Sequence, residues 1–75
     1  MIYQIFKKDS ASEKDSFAKM VARYGSDHLY EEGEIFTLES KNGPVRLKIL
    51  SVEKDYELSR VFNDDFYHVY VLILT

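Results

Sequence analysis

The sequence predicts one α+β domain, residues 1–75, with a four- or five-stranded antiparallel or mixed sheet that can curl toward a barrel and one helix between strands 1 and 2. Three observations predict this class. Short runs of β-branched and aromatic residues recur, an apolar stripe at helical spacing follows the first run, and an Asn-Gly pair separates two strand-like segments. The chain has 75 residues, of which 45% are hydrophobic, so it can build one core.

The first strand is predicted over Ile2–Lys7, because this segment is rich in β-branched and aromatic residues and a polar break follows it. The helix is predicted next. Ser10 stands three residues before Glu13, and Ser12 stands three before Asp15, so either pair can form a capping box. The stripe at i, i+3, i+4 and i+7 consists of Phe17, Met20, Val21 and Tyr24, and Gly25 follows in the place of a helix C-cap.

A hairpin is predicted after a polar loop over residues 26–33. Glu34–Glu39 has strand character, and Asn42-Gly43 favours a two-residue type I′ turn because both residues tolerate positive φ. The return strand Val45–Ile49 alternates apolar and basic residues, so its apolar side chains should face the core. Beyond Ile49 the alternation slips, which indicates either a bulge or a strand covered on both faces.

Two further strands are predicted in the last third of the chain. Leu58–Phe62 is interpreted as a short fourth strand, because the turn sequence Asn63-Asp64-Asp65 follows it. The run Phe66–Leu74 is almost continuously apolar, and strands of this kind are usually buried on both faces. It is therefore predicted to be an inner strand of the sheet.

The composition limits the classes of function. The net charge of −3 disfavours a nucleic-acid-binding surface, which usually needs a basic face. The chain has no Cys, so it has neither a disulfide nor a thiolate zinc site, and this fits a cytoplasmic location. The first residues do not resemble a signal peptide, and no apolar run approaches the length of a membrane span.

An enzyme is not expected, and neither is a cofactor or a metal. No Cys nucleophile exists, no Ser lies in a nucleophile elbow, and no glycine-rich phosphate loop occurs. The alternative prediction is a metal-dependent hydrolase that uses Asp64, Asp65 and His68; a metal site shared by the clusters around His28 and His68 is the corresponding metal-binding hypothesis. These residues match no established metal-binding spacing, since neither an HExxH helix nor an EF-hand loop is present.

The function predicted from the sequence is that of a small non-catalytic accessory or regulatory protein that binds another protein. Two acidic segments flanked by tyrosines, Ser26–Glu39 and Glu53–Asp65, favour a basic partner surface, including that of a nucleic-acid-binding protein that this chain would inhibit. The residues predicted to bind the partner are Asp27, Tyr30, Glu31, Glu32, Glu34, Asp64, Asp65 and Tyr67. A homodimer is compatible with the small size. A third prediction is nucleic-acid binding through Arg46 and Lys48.

Overall fold

The computed structural model describes residues 1–74, which form a five-stranded mixed sheet curled into a half-barrel and one α-helix. The sheet has the order β2-β1-β5-β4-β3; the β1–β5 pair is parallel and the other three pairs are antiparallel. The strands are β1 (Ile2–Lys8), β2 (Lys19–Gly25), β3 (Ile35–Ser40), β4 (Gly43–Lys54) and β5 (Phe66–Ile73), and the helix is α1 (Tyr56–Phe62). No helix among residues 1–74 has the length and hydropathy needed to cross a membrane.

The core lies on the inner face of the half-barrel. It consists of alternating residues of the three central strands, which pair in register: Tyr3, Ile5, Leu47, Ile49, Val69 and Val71. The prediction that residues 66–74 contain an inner strand is confirmed, because β5 lies between β1 and β4. β4 carries a bulge between Ile49 and Ser51, which is one of the two structures predicted from the break in the apolar–polar alternation beyond Ile49.

The helix predicted between strands 1 and 2 is wrong. The structure has only a single 3₁₀ turn there, Asp15–Phe17, and then β2. The Ser10–Glu13 capping pair closes a tight turn instead: Glu13 N–H donates to Ser10 O, and Asp9 N–H donates to the Glu13 carboxylate. The apolar residues at 20–24 follow a strand period and not a helical one, because Ala22 and Tyr24 face inward at a spacing of two and pair with β1.

The strand predicted over residues 58–62 is also wrong, since this segment lies within α1. Asp55 is the N-cap of α1 and accepts a hydrogen bond from Leu58 N–H at 2.9 Å. Asn63 ends the helix in the left-handed conformation, with φ of 52°. The one helix therefore follows β4, and it rests on β5 at the outer face.

The hairpin between β3 and β4 forms, but its turn is shifted by one residue from the predicted position. Ser40 pairs with Gly43, so Lys41 and Asn42 are the turn residues. Gly43 takes a positive φ of 105°, whereas Asn42 does not take one, and a type I′ turn would require it. A positive φ is easier for glycine than for asparagine because glycine has no Cβ.

Candidate functional site

The two loops that contain the residues predicted to bind a partner lie at the same end of the half-barrel, whereas Glu39 of the first predicted acidic segment lies at the opposite end, beside the β3–β4 turn. Residue Met1 joins them: Ser26 N–H donates to Met1 O at 2.9 Å, and the N-terminal ammonium lies 3.4 Å from Asp64. Ile2 N–H also donates to Asp65 O at 2.7 Å. The loop over residues 26–34 connects β2 to β3 on the inner-face side, and the segment 55–65 connects β4 to β5 on the outer-face side. We call this region the acidic end.

The acidic end carries most of the chain's negative charge. Its two segments, 26–34 and 55–65, contain eight acidic residues and one basic residue, Arg60, and they are bordered by two further cations, the N-terminal ammonium and Lys54. The opposite end is more balanced, since residues 7–19 contain four lysines and three acids. A net charge of −3 is thus spread unevenly, and the potential at the acidic end attracts a basic surface.

The acidic side chains at this end differ in whether they form contacts within the chain. The side chains of Glu31 and Glu32 are exposed. Glu34 instead holds the loop together, because its carboxylate lies 2.6 Å from His28 Nε2 and accepts a hydrogen bond from Glu31 N–H. Asp65 forms an ion pair of 3.1 Å with Lys54, and this contact raises the pKa of Lys54.

The two tyrosines predicted at the binding surface pack into the inner face. The ring of Tyr67 stacks on Tyr3 with centroids 5.3 Å apart, and Tyr30 meets Tyr3 edge-on at 4.6 Å. The Tyr30 hydroxyl also lies 2.8 Å from that of Tyr24, and burial together with this contact raises the pKa of Tyr24. Both predicted tyrosines are half-buried: Tyr30 anchors the loop to the core, Tyr67 belongs to β5, and both offer little area to a partner.

The set of residues predicted to bind a partner omits the large apolar side chains that are exposed at the acidic end. Tyr56, Val61 and Phe62 of α1 are 74%, 71% and 52% exposed, although apolar helix residues usually face a core. Leu29 is exposed in the neighbouring loop. The signal that could have located them is the helix itself: Asp55 as N-cap, Glu57 in the first turn and Arg60 in the last.

A polar network on the outer face connects α1 to the sheet. His68 Nε2 lies 2.7 Å from the Asp55 carboxylate. One orientation of the Gln4 side-chain amide satisfies both His68 and Arg23. In that orientation the amide nitrogen donates to His68 Nδ1 at 3.1 Å, and the amide oxygen accepts hydrogen bonds from the Arg23 guanidinium. Nδ1 of His68 is then an acceptor, so Nε2 carries the proton and donates to Asp55. No nucleophilic hydroxyl contacts this ring within the described residues.

The residues of the metal-hydrolase alternative do not come together. His68 contacts Asp55 and not Asp64 or Asp65, which pair with the N-terminus and Lys54. His28 lies on the inner-face side against Tyr30, whereas His68 lies on the outer face. Residues 1–74 contain no group of three or more His, Asp or Glu side chains placed to hold a metal ion.

The two basic residues of the third prediction share one face of β4. Arg46 pairs with Thr37 and Lys48 with Ile35, and both basic side chains are exposed. No aromatic ring lies beside them in the described contacts.

Comparison with protein-family models, curated proteins and solved structures finds no match to this chain.

Proposed function

We propose that this chain is a non-catalytic binding protein whose acidic end engages a basic surface of another protein. The observation that carries the proposal is that Met1 holds the two acidic segments against one rim, where they surround exposed apolar side chains. Charge at the rim increases the rate of association, and burial of large side chains slows dissociation. The cytoplasmic location expected from the absence of cysteine is part of the same proposal.

The apolar anchors of this surface are Tyr56, Val61 and Phe62 of α1. Phe62 stacks on the buried Phe66 at 5.4 Å, so its ring is held in place before a partner arrives. Tyr56 lies beside the ammonium of Lys54, 5.3 Å from its ring centroid. Large, pre-positioned side chains ringed by charge are typical of binding hot spots, because little rotational freedom is lost when they are buried.

The test is affinity capture with the purified chain at low and at high salt, comparing variants matched in chemistry but placed at opposite ends. Glu31→Gln with Glu32→Gln should reduce capture at low salt, because the rim charge that steers association is lost. Asp9→Asn with Glu13→Gln removes the same charge from the opposite end and should leave capture unchanged. The captured partner should be basic.

The apolar contribution is tested separately. Phe62→Ala should speed dissociation of the captured partner by about tenfold or more, as hot-spot truncations do. Phe17→Ala is the control, since Phe17 is 66% exposed at the opposite end. Recovery of nucleic acid alone, or of an acidic partner indifferent to salt, would show that the acidic end is not the binding surface. The exposed Arg46 and Lys48 of β4 would then be the candidate binding residues.

A further inference from the structure

An apolar groove lies on the inner face of the half-barrel, between the two edge strands. Its volume is about 380 Å³. Val21 and Ala22 of β2 form one wall and Leu38 of β3 forms the other, while Leu47 and Ile73 lie between them. Ile73 is the last residue of β5, so the groove reaches the end of the half-barrel opposite the acidic end. A cleft of this size with mainly apolar walls is typical of a site for a small molecule.

The polar residues that line the groove, Glu39 and Ser40, place no free charge inside it. The Ser40 hydroxyl donates to Gly43 O at 2.7 Å. Leu38 pairs with Val45, and both belong to the inward rows of their strands. Because side chains alternate along a strand, the carboxylate of Glu39 belongs to the outer face. The interior of the groove therefore suits an alkyl chain.

Two lysines border the groove at its open end. In the inward row, Ile5 of β1 pairs with Ala22 of β2. The next inward pair toward the opposite end is Lys7 with Lys19. Val21 is the extra residue of the β2 bulge between these two pairs, and it lines the groove. Two cationic side chains thus lie directly opposite each other where the apolar walls end.

The two ammonium groups have little counter-charge within the chain. The Lys7 ammonium lies 3.7 Å from Asp9, whose side chain is 82% exposed, so this contact is weak. Lys19 forms no ion pair within residues 1–74. Like charges directly opposite on neighbouring strands destabilise a sheet. An anion held between the two lysines removes this repulsion, while the apolar stems of the lysines extend the walls of the groove.

We propose that the groove binds a free alkyl carboxylate of medium chain length, with the chain along the apolar walls and the carboxylate between Lys7 and Lys19. Charge complementarity selects this ligand, because an apolar molecule with a cationic head would meet two like charges at the same place. The site lies away from the acidic end, so it is independent of the protein-binding function proposed above.

Calorimetric titration of the purified chain with decanoate, below its micelle-forming concentration and at low salt, tests the site. Decanoate should bind with one-to-one stoichiometry and raise the melting temperature as its concentration rises. Decylammonium has the same chain and the opposite charge, and it should bind at least about tenfold more weakly. From hexanoate to decanoate, the affinity should increase by up to about fourfold for each added methylene.

Substitution of the lysines tests the head-group site. Lys7→Gln with Lys19→Gln should weaken decanoate binding by about tenfold or more and should not weaken decylammonium binding. Arg46→Gln with Lys48→Gln is the control, because it removes the same charge from the exposed outer face of β4. Lys19→Gln alone should raise the melting temperature of the free chain at low salt, since the repulsion between the paired lysines is removed.

Substitution in the wall tests the alkyl-chain site separately. Val21→Phe places a larger side chain in the groove and should weaken decanoate and decylammonium binding alike. Circular dichroism of the free variant verifies that it is folded.

Three results would overturn the proposal. Equal affinities for decanoate and decylammonium would mean that the lysines do not form a head-group site. The absence of decanoate binding below the micelle-forming concentration would mean that the groove holds no such chain. Binding to vesicles of anionic lipid without binding of free decanoate would mean that the lysines meet a membrane surface instead. The acidic end is judged by its own capture experiment in each case.

Discussion

Asp55 is the residue on which two structural elements depend. One carboxylate oxygen accepts the Leu58 N–H at the start of α1, and the other accepts the proton of His68 on β5. These contacts, with the Leu58 amide first in importance, hold the pKa of Asp55 below its ordinary value of 3.8. A lowered folded-state pKa means that the stabilisation is complete above the ordinary value and disappears as the pH falls through the lower pKa of the folded protein.

The acid limb of stability should therefore change with substitution at Asp55. Asp55→Ala should lower the melting temperature at neutral pH, because the cap and the His68 contact are both lost. Asp55→Asn keeps a good N-cap but cannot titrate, so the difference in melting temperature from the natural chain should shrink below about pH 3.8. Melting followed by circular dichroism across the acid range measures this. If the difference in melting temperature between Asp55→Asn and the natural chain stayed constant with pH, Asp55 would not be a group whose pKa is lowered by folding.

At the scale of the element, α1 is defined by its two ends more than by its sequence. The helix has seven residues and buries none of them completely, so packing contributes little to its formation. Asp55 satisfies an amide at its first turn, and Asn63 at its C-terminus donates its N–H to Ser59 O. A short helix of this kind is stable only while both caps and its contacts with β5 persist.

Substitution at Asn63 tests the left-handed end of α1. Asn63→Val should destabilise the protein by about 1–2 kcal/mol, because a β-branched residue is strained at positive φ. Asn63→Gly should cost nothing or stabilise slightly, since glycine adopts this conformation freely. Both are read from urea denaturation midpoints. The side chain is exposed, so packing changes do not confuse the comparison, and equal effects of the two variants would exclude a role for φ.

At the scale of the whole molecule, stability is concentrated in three strands. β1, β5 and β4 supply all of the core cluster, and the edge strands β2 and β3 contribute only half-buried side chains. Backbone groups of β5 are paired on both sides along the strand. The molecule should therefore open first at its edges and last at its centre.

Hydrogen exchange of the purified chain measures this order. Amides of β5 should exchange slowest, and those of β2 and β3 should exchange fastest among the strands. Faster exchange in β5 than in β2 would show that the centre of the sheet is not the most stable part.

The sequence alone determined the features that depend on neighbouring residues and on overall hydrophobicity. An almost continuously apolar run identified β5 as an inner strand, and the alternation in residues 45–49 identified the inward face of β4. The acidic composition of the loops over 26–34 and 63–65 is likewise a property of the sequence. These signals are reliable because burial on one face or two leaves a direct trace in residue type.

Only the tertiary structure decided which segment is the helix and which side chains are free. Residues 19–25 fit both a helical and a strand period. They form a strand because the backbone N–H and C=O groups along the outer edge of β1 need hydrogen-bond partners, which β2 provides. Tyr30 was drawn into the core by Tyr3 and Tyr24, whereas Tyr56 and Phe62 remain outside. Which side chains fill the inner face cannot be predicted from the pattern of residue types along the chain, because it depends on contacts between residues that are distant in the sequence.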